Sequence, residues 1–239
     1  LPTISDPIVI DGTTQPGASC AAWPPTLLIE LDGSGAGAFA NGFDLAAFGA
    51  DGSTVRGVVI NRFYIGINGA YVSNHTIQCN FIGTDPTGTI ALGNTSYGIE
   101  MQQDSDNNVI GGPADTQRNL ISGNGTNQIT LPNFSDNTTS PSNNLIQNNY
   151  IGTDVTGLVA LGGAAFSALD LFGSNNNQIL DNVISGNTGY GIYLAGDTTR
   201  PSGNNIIQGN YIGVDATGTG SLGNGSPGVP YGISIVSSQ

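Results

Sequence analysis

Three aspartates recur in one local setting: Asp85 in "NFIGTDPTG", Asp154 in "NYIGTDVTG" and Asp215 in "NYIGVDATG". A carboxylate placed three times could ligate a metal, act in catalysis, or shape the corner of a repeating scaffold. The pattern Gly-X-Asp-X-Thr-Gly suits an Asx-type turn, in which the aspartate oxygen accepts from backbone N–H groups two residues on. Weak Ca²⁺ binding by the same three carboxylates is the alternative. Glu100 and Asp170 form a second pattern, which matters only if the fold brings them to one face. Nucleophilic triad chemistry would have to use His75, the one histidine, on the approach to a strand. Zinc-type ligand sets are missing. The candidates can be ranked only once the elements that carry them are known.

Composition narrows the classes first. Only 9% of the 239 residues are charged, the net charge is −13, and four arginines stand without a single lysine. A nucleic-acid partner is excluded, because phosphate neutralisation needs a basic surface. Anionic membrane surfaces are disfavoured for the same reason, and no apolar run reaches the roughly 18–20 residues of a membrane-spanning helix. The 37 glycines and 26 asparagines indicate a turn every few residues. Disorder does not follow, since Ile, Leu and Val recur in register throughout. In an acidic, exported chain Cys20 and Cys79 read as a disulfide, against two inert small apolar residues. Six glycosylation sequons, beginning at Asn74, Asn94, Asn124, Asn133, Asn137 and Asn224, are what abundant Asn, Ser and Thr produce by chance.

From residue 53 onward the chain breaks into units beginning at 53, 74, 107, 143, 176 and 204. The unit "NNQILDNVISGNTGYGIYLAG" holds three short apolar pieces, each too short for a helix and separated by glycine or asparagine. Three strands in about 21 residues make one turn of a parallel β-helix, the turns stacking at roughly 4.8 Å. Alignment gives a first-strand column Val55, Ile77, Ile110, Ile146, Ile179 and Ile207, and a second-strand column Ile60, Ile82, Ile121, Ile151, Ile184 and Ile212. Third-strand pairs run from Phe43/Leu45 and Ile99/Met101 to Ile233/Ile235. A longer first turn over 5–47 brings the total to about seven turns in one domain, 1–239. Asn80, Asn119, Asn149, Asn182 and Asn210 share the bend before the second strand, which predicts an inward amide ladder.

The words "NYIGTDVTGLVALG" and "NLISGN", with the opening "LPTISDPIVIDGTTQPGAS", resemble the secreted bacterial right-handed parallel β-helix repeat proteins of the pectate-lyase-like fold. The resemblance covers essentially the whole chain. It implies export and a right-handed coil, with little about activity. That fold also hosts polysaccharide lyases and hydrolases. Lyase chemistry uses arginine or lysine as base with Ca²⁺, a poor match to this acidic, lysine-free chain. The aspartate cluster, His-Gly pair and Arg-Ile-Lys word of the galacturonase-type hydrolases are missing too.

On the third strand the outward positions read Asp44, Gly66, Glu100, Thr130, Asp170, Tyr193 and Ser234. Glu100 and Asp170 then stand two turns apart, roughly 9–10 Å, at the upper edge for an inverting glycosidase. A solvated acidic column is the simpler alternative. The outward second-strand column, Val59, Phe81, Leu120, Tyr150, Val183 and Tyr211, would be an exposed apolar stripe. Each Asp loop is expected to fold back so that its leucine (Leu92, Leu161, Leu222) covers the aromatic at its base. The sequence thus predicts an extracellular or cell-surface β-helical rod without cofactor, structural or adhesive in role, with surface glycans as possible ligands. Two alternatives stay open: a filament subunit stacking end to end with its own copies, since no amphipathic cap is legible at either end, and a polysaccharide-active hydrolase or lyase using Glu100 and Asp170.

Overall fold

The computed structural model describes residues 2–46, 49–135, 139–226 and 232–237. Among them lie three parallel sheets of seven strands each, the three strands of every turn falling into different sheets. This is a right-handed parallel β-helix of seven rungs. The first sheet runs from Val9–Asp11 to Ile206–Gln208, the second from Ile29–Asp32 to Tyr211–Ile212, and the third from Phe43–Asp44 to Ile233–Ser237. Register follows the aligned columns: Ile110 pairs with Ile146, Ile121 with Ile151, and Ile129 with Leu169. Each column fills the interior, where Ile77, Ile110, Ile146, Ile179, Ile82, Ile121 and Ile151 are fully buried. No single rung could enclose such a core. Stacking alone makes it dry, which is why the unit must repeat.

Polar ladders close the corners. Asn80 Nδ2 donates to Asn119 Oδ1 at 3.2 Å, Asn119 to Asn149 at 3.0 Å, Asn149 to Asn182 at 3.0 Å and Asn182 to Asn210 at 2.9 Å. Each amide also binds a first-strand carbonyl of the rung before, as Asn149 does at Ile110 (2.9 Å). The residue ahead of four of the five ladder asparagines takes a left-handed bend: Cys79, Asn148 and Asp181 with φ near +57°, and Gly209 with φ +71°. Two further ladders escaped the alignment. One runs Asn94–Asn124–Gln128–Asn187–Asn224 and the other Asn108–Asn144–Asn177–Asn205. Three of the sequon asparagines, Asn94, Asn124 and Asn224, are therefore buried structural amides, and Asn133 is buried as well. Asn74 is exposed, and Asn137 lies outside the described residues.

His75 stands where the third ladder wants an asparagine. Its backbone N–H donates to Asn108 Oδ1 at 2.9 Å, and its Nδ1 accepts from the Ser53 N–H at 3.1 Å. Nε2 is buried with no partner among the described residues. Burial pulls the imidazole pKa below its usual value, against smaller opposing effects of the Ser53 bond and the Asp51 charge. A group held neutral in the fold but free to protonate when unfolded contributes stability above pH ~6.5, and that stability is lost as pH falls further. His75→Asn is therefore expected to remove most of the melting-temperature drop between pH 7 and 5. An unchanged pH profile by thermal melts would contradict this role.

On the outside of the second sheet the loops do fold back, through antiparallel bridges at Thr84–Ala91, Thr153–Ala160 and Val214–Ser221. The contact differs from the expected leucine clip. Glycines 88, 157 and 218, at positive φ, are what press on Phe81, Tyr150 and Tyr211. The loops also stack on each other, Val155 N–H donating to Gly88 O and Ala216 N–H to Gly157 O, both at 2.9 Å. The rest of the apolar stripe is covered by an excursion between the first two strands. Cys20 and Cys79 are joined by a disulfide, anchoring that excursion. Trp23 then sits edge-on against Phe81 and Tyr150, with its indole N–H on the Val155 carbonyl at 2.9 Å. The Arg118 guanidinium closes the cluster 4.2 Å above the Tyr150 ring.

Gly157 gives this packing a test. A Cβ there would meet Ala216 Cβ at 2.5 Å and Tyr150 Cε2 at 2.9 Å, at φ +72°. Gly162 has a similar φ of +74° but open space around it. Gly157→Ala is expected to cost about 3 kcal/mol by thermal or urea unfolding, against about 1 kcal/mol for Gly162→Ala. Equal losses would mean that the loop does not clamp the ring.

Candidate functional site

The third sheet carries the remaining chemistry. Its outward column is Asp44, Asn68, Glu100, Thr130, Asp170, Tyr193 and Ser234, in continuous register. Gly66 does not belong to it. Gly66 and its counterpart Gly98 face inward at a bend, where a Cβ would strike Ile82 and Ile121 respectively. That inward glycine lets the preceding residue point out, so Tyr97 joins Glu100 on the outer face. Nothing in the residue pattern signals this, because Ile65-Gly66-Ile67 reads as plain alternation.

Thr130 pairs with Glu100 on one side and Asp170 on the other, so two strand spacings, roughly 9–10 Å, separate the carboxyls. Thr130 Oγ1 donates to Asp170 Oδ2 at 3.3 Å, while Asp170 Oδ1 is buried with no partner among the described residues. Glu100 is only 5% exposed, and Gln102 Nε2 reaches its Oε2 at 3.4 Å. Burial without a cation pushes Glu100 up to about 7 and, despite the Thr130 bond, Asp170 up to about 6. Burial, and after it the Glu100 charge, raises the Tyr97 phenol too, with Asp170 contributing less. Carboxyls that would otherwise be solvated are thus held near neutrality, which is where acid–base chemistry needs them.

Beside them lies a groove of about 270 Å³, lined by Tyr97, Thr130, Phe134, Phe166, Asp170 and Tyr193, and also by Pro132 and Phe172. Phe166 meets Tyr193 edge-on at 4.9 Å, and Tyr190 lies 5.4 Å from Tyr193. Asp170 opens into this groove; Glu100 does not line it but sits buried two rungs away. Aromatic walls with a few convergent polar groups are the usual make-up of a small-molecule or sugar site. The aromatics themselves are individually visible in the sequence, yet they lie in four successive rungs, and only the stacking unites them.

The repeated aspartates do different work. Asp85 accepts from Thr87 Oγ1 at 2.6 Å and from the Thr89 and Ile90 N–H groups at 3.0 and 2.9 Å. Asp154 and Asp215 repeat the pattern with Thr156 and Thr217. For Asp85 burial alone would raise the pKa, but these bonds outweigh it and bring the value down. Their oxygens are spent on their own loops. Among the described residues no group of three or more His, Cys, Asp or Glu is arranged to hold a metal ion.

Fold and groove together define a parallel β-helix with a carboxyl-bearing aromatic cleft on one sheet. The solved structures it resembles include the periplasmic alginate epimerase AlgG, one mutant form of which is 18% identical over 73% of this chain, with a TM-score of 0.53. The A-module of the mannuronan C-5 epimerase AlgE6 from Azotobacter vinelandii is 16% identical over 88% of this chain and 72% of that module, with a TM-score of 0.46. This chain spans about a third of the AlgG chain (33%). At such identities the likeness is one of fold. No family model and no curated protein matches the sequence.

Proposed function

We propose that the protein is exported and acts on a polysaccharide bound to the outer face of the third sheet, Glu100 and Asp170 serving as the acid–base pair of an inverting hydrolysis. The observation that carries this is a pair of desolvated carboxyls, brought by burial to about 7 and about 6, on one face beside an aromatic groove. Between those values Glu100 keeps its proton to give to a leaving oxygen while Asp170 is ionised to draw one from water. Thr130, between them in register, holds Asp170 by Oδ2 and leaves Oδ1 without a partner among the described residues to take the proton. The AlgG neighbour is an alginate epimerase, which bears on the polysaccharide class only by likeness of fold. Export is supported by the Cys20–Cys79 disulfide. Among the described residues no helix is long and apolar enough to cross a membrane.

The test is reducing-end release from a panel of plant and microbial polysaccharides, followed from pH 5 to 8.5. The expected result is cleavage of at least one, with kcat/KM rising through about pH 6 and falling through about pH 7 as the two groups titrate. A second reading, a rod that holds glycans without cutting them, is favoured by one observation: Glu100 is 5% exposed and lies outside the groove. Binding without product at any pH would select it.

A further inference from the structure

We infer that the groove takes uncharged sugar residues and turns away uronates, a selectivity that rests on the glycan-site reading above and names its substrate class. Three observations converge on it. First, Asp170 Oδ1 is buried and partnerless while Oδ2 already has the Thr130 hydroxyl, so the site asks for one more donor. A sugar hydroxyl supplies that at any pH. A uronate keeps its ring hydroxyls, but its C6 carboxylate has no proton to give above its own low pKa and adds an acceptor where the neutral sugar has a further donor.

Second, among the described residues no arginine stands without an aspartate partner to offset another negative charge. Each of the four arginines is paired with an aspartate: Arg56 with Asp11, Arg62 with Asp32, Arg118 with Asp115 and Arg200 with Asp197. Arg200 comes nearest, its guanidinium 4.7 Å over the ring of Phe172, which lines the groove. There it is held by both Nε and Nη2 on the Asp197 carboxylate, with Nη1 on the Asn133 carbonyl at 3.4 Å. Its charge is matched within its own turn. The chain has no lysine to take its place.

Third, the walls are built for a ring's apolar face. Phe166 and Tyr193, 4.9 Å apart, line it together, Tyr190 packing against both at 5.4–6.0 Å, and Phe134 in the lining is 57% exposed. Such surfaces gain by covering C–H groups and gain nothing from a carboxylate. A like charge brought within about 6 Å of a desolvated carboxylate weakens binding on the order of 100-fold at the effective dielectric of such a site.

Calorimetric titration of the full chain at pH 8 tests the inference, with neutral pentasaccharides (xylo-, manno-, gluco- and galacto-) set against penta-galacturonate and penta-mannuronate. At least one neutral probe should bind, about 100-fold tighter than either uronate. In Asp170→Asn, confirmed as folded by circular dichroism, that preference should shrink at least tenfold, since the repelling charge is gone and an amide donor has arrived. Uronates binding as tightly as the neutral probes, or a preference untouched by Asp170→Asn, would overturn the selectivity while leaving the groove a glycan site. If neither kind binds, the glycan reading itself falls and takes the selectivity with it.

Discussion

Asn149→Ala should destabilise the rod by about 4 kcal/mol or more, the largest effect expected of any single amide deletion in this fold. Asn149 is fully buried and stands in the middle of its ladder. Its Nδ2 serves Ile110 O, Gln147 O and Asn182 Oδ1, and its Oδ1 accepts from both the backbone N–H and the side chain of Asn119. Alanine leaves that whole set unpaired in a dry corner, and the cost is their desolvation, not the modest net value of one hydrogen bond. For a chain of this length the melting temperature should fall by about 10 °C. Asn210→Ala is the matched control, since Asn210 is partly exposed and makes the same bonds to one neighbouring rung only. It should cost less than half as much. Equal losses would mean that the ladder does not act as a connected network.

The second large effect concerns the carboxyl pair, where activity and stability should move in opposite directions. Glu100→Gln and Asp170→Asn are each expected to lower kcat by 100-fold or more on whatever glycan the wild type cleaves, as befits loss of a general acid or base. Both should stabilise the protein at pH 8. Burial raises each folded pKa above its unfolded value, so the fold binds more protons than the open chain once pH exceeds about 4. The folded state must then ionise desolvated groups as pH climbs through about 6 and about 7. The amides escape that penalty, gaining roughly 1–3 kcal/mol at pH 8 and nothing at pH 4. Urea unfolding at the two pH values reads the difference. Variants that lose stability at pH 8 would show that the carboxyls are bound structurally and not held in reserve for a ligand.

The fold was legible because its signal is columnar. Ile at one position of every rung can be read from a bare alignment, and so can Asn80, Asn119, Asn149, Asn182 and Asn210, which occupy one bend. The ladder through Asn94 and Asn124 was hidden because Gln128, from a neighbouring position, stands in for asparagine in one rung. That through Asn108 was hidden because His75 does the same. Strand alternation misleads where a glycine turns inward: it gives Gly66 the outward place that belongs to Asn68, and it does not bring Tyr97 to the outer face of the third sheet. The apolar stripe on the second sheet was seen, but its cover was assigned to Leu92, Leu161 and Leu222. Trp23, more than fifty residues from the first ring it packs on, has no periodic signature to announce it. The groove was least legible of all, since Tyr97, Thr130, Phe166 and Tyr193 come from successive rungs and meet only because the rungs stack.

The central claim is that Glu100 and Asp170 cleave a glycan on the third sheet by inversion. Its most direct measurement is a ¹H NMR time course of wild-type protein with a susceptible neutral polysaccharide, following the first-released anomer before mutarotation. A product of inverted configuration is expected, absent in Glu100→Gln. A retained configuration, or undiminished cleavage by Glu100→Gln, would contradict it.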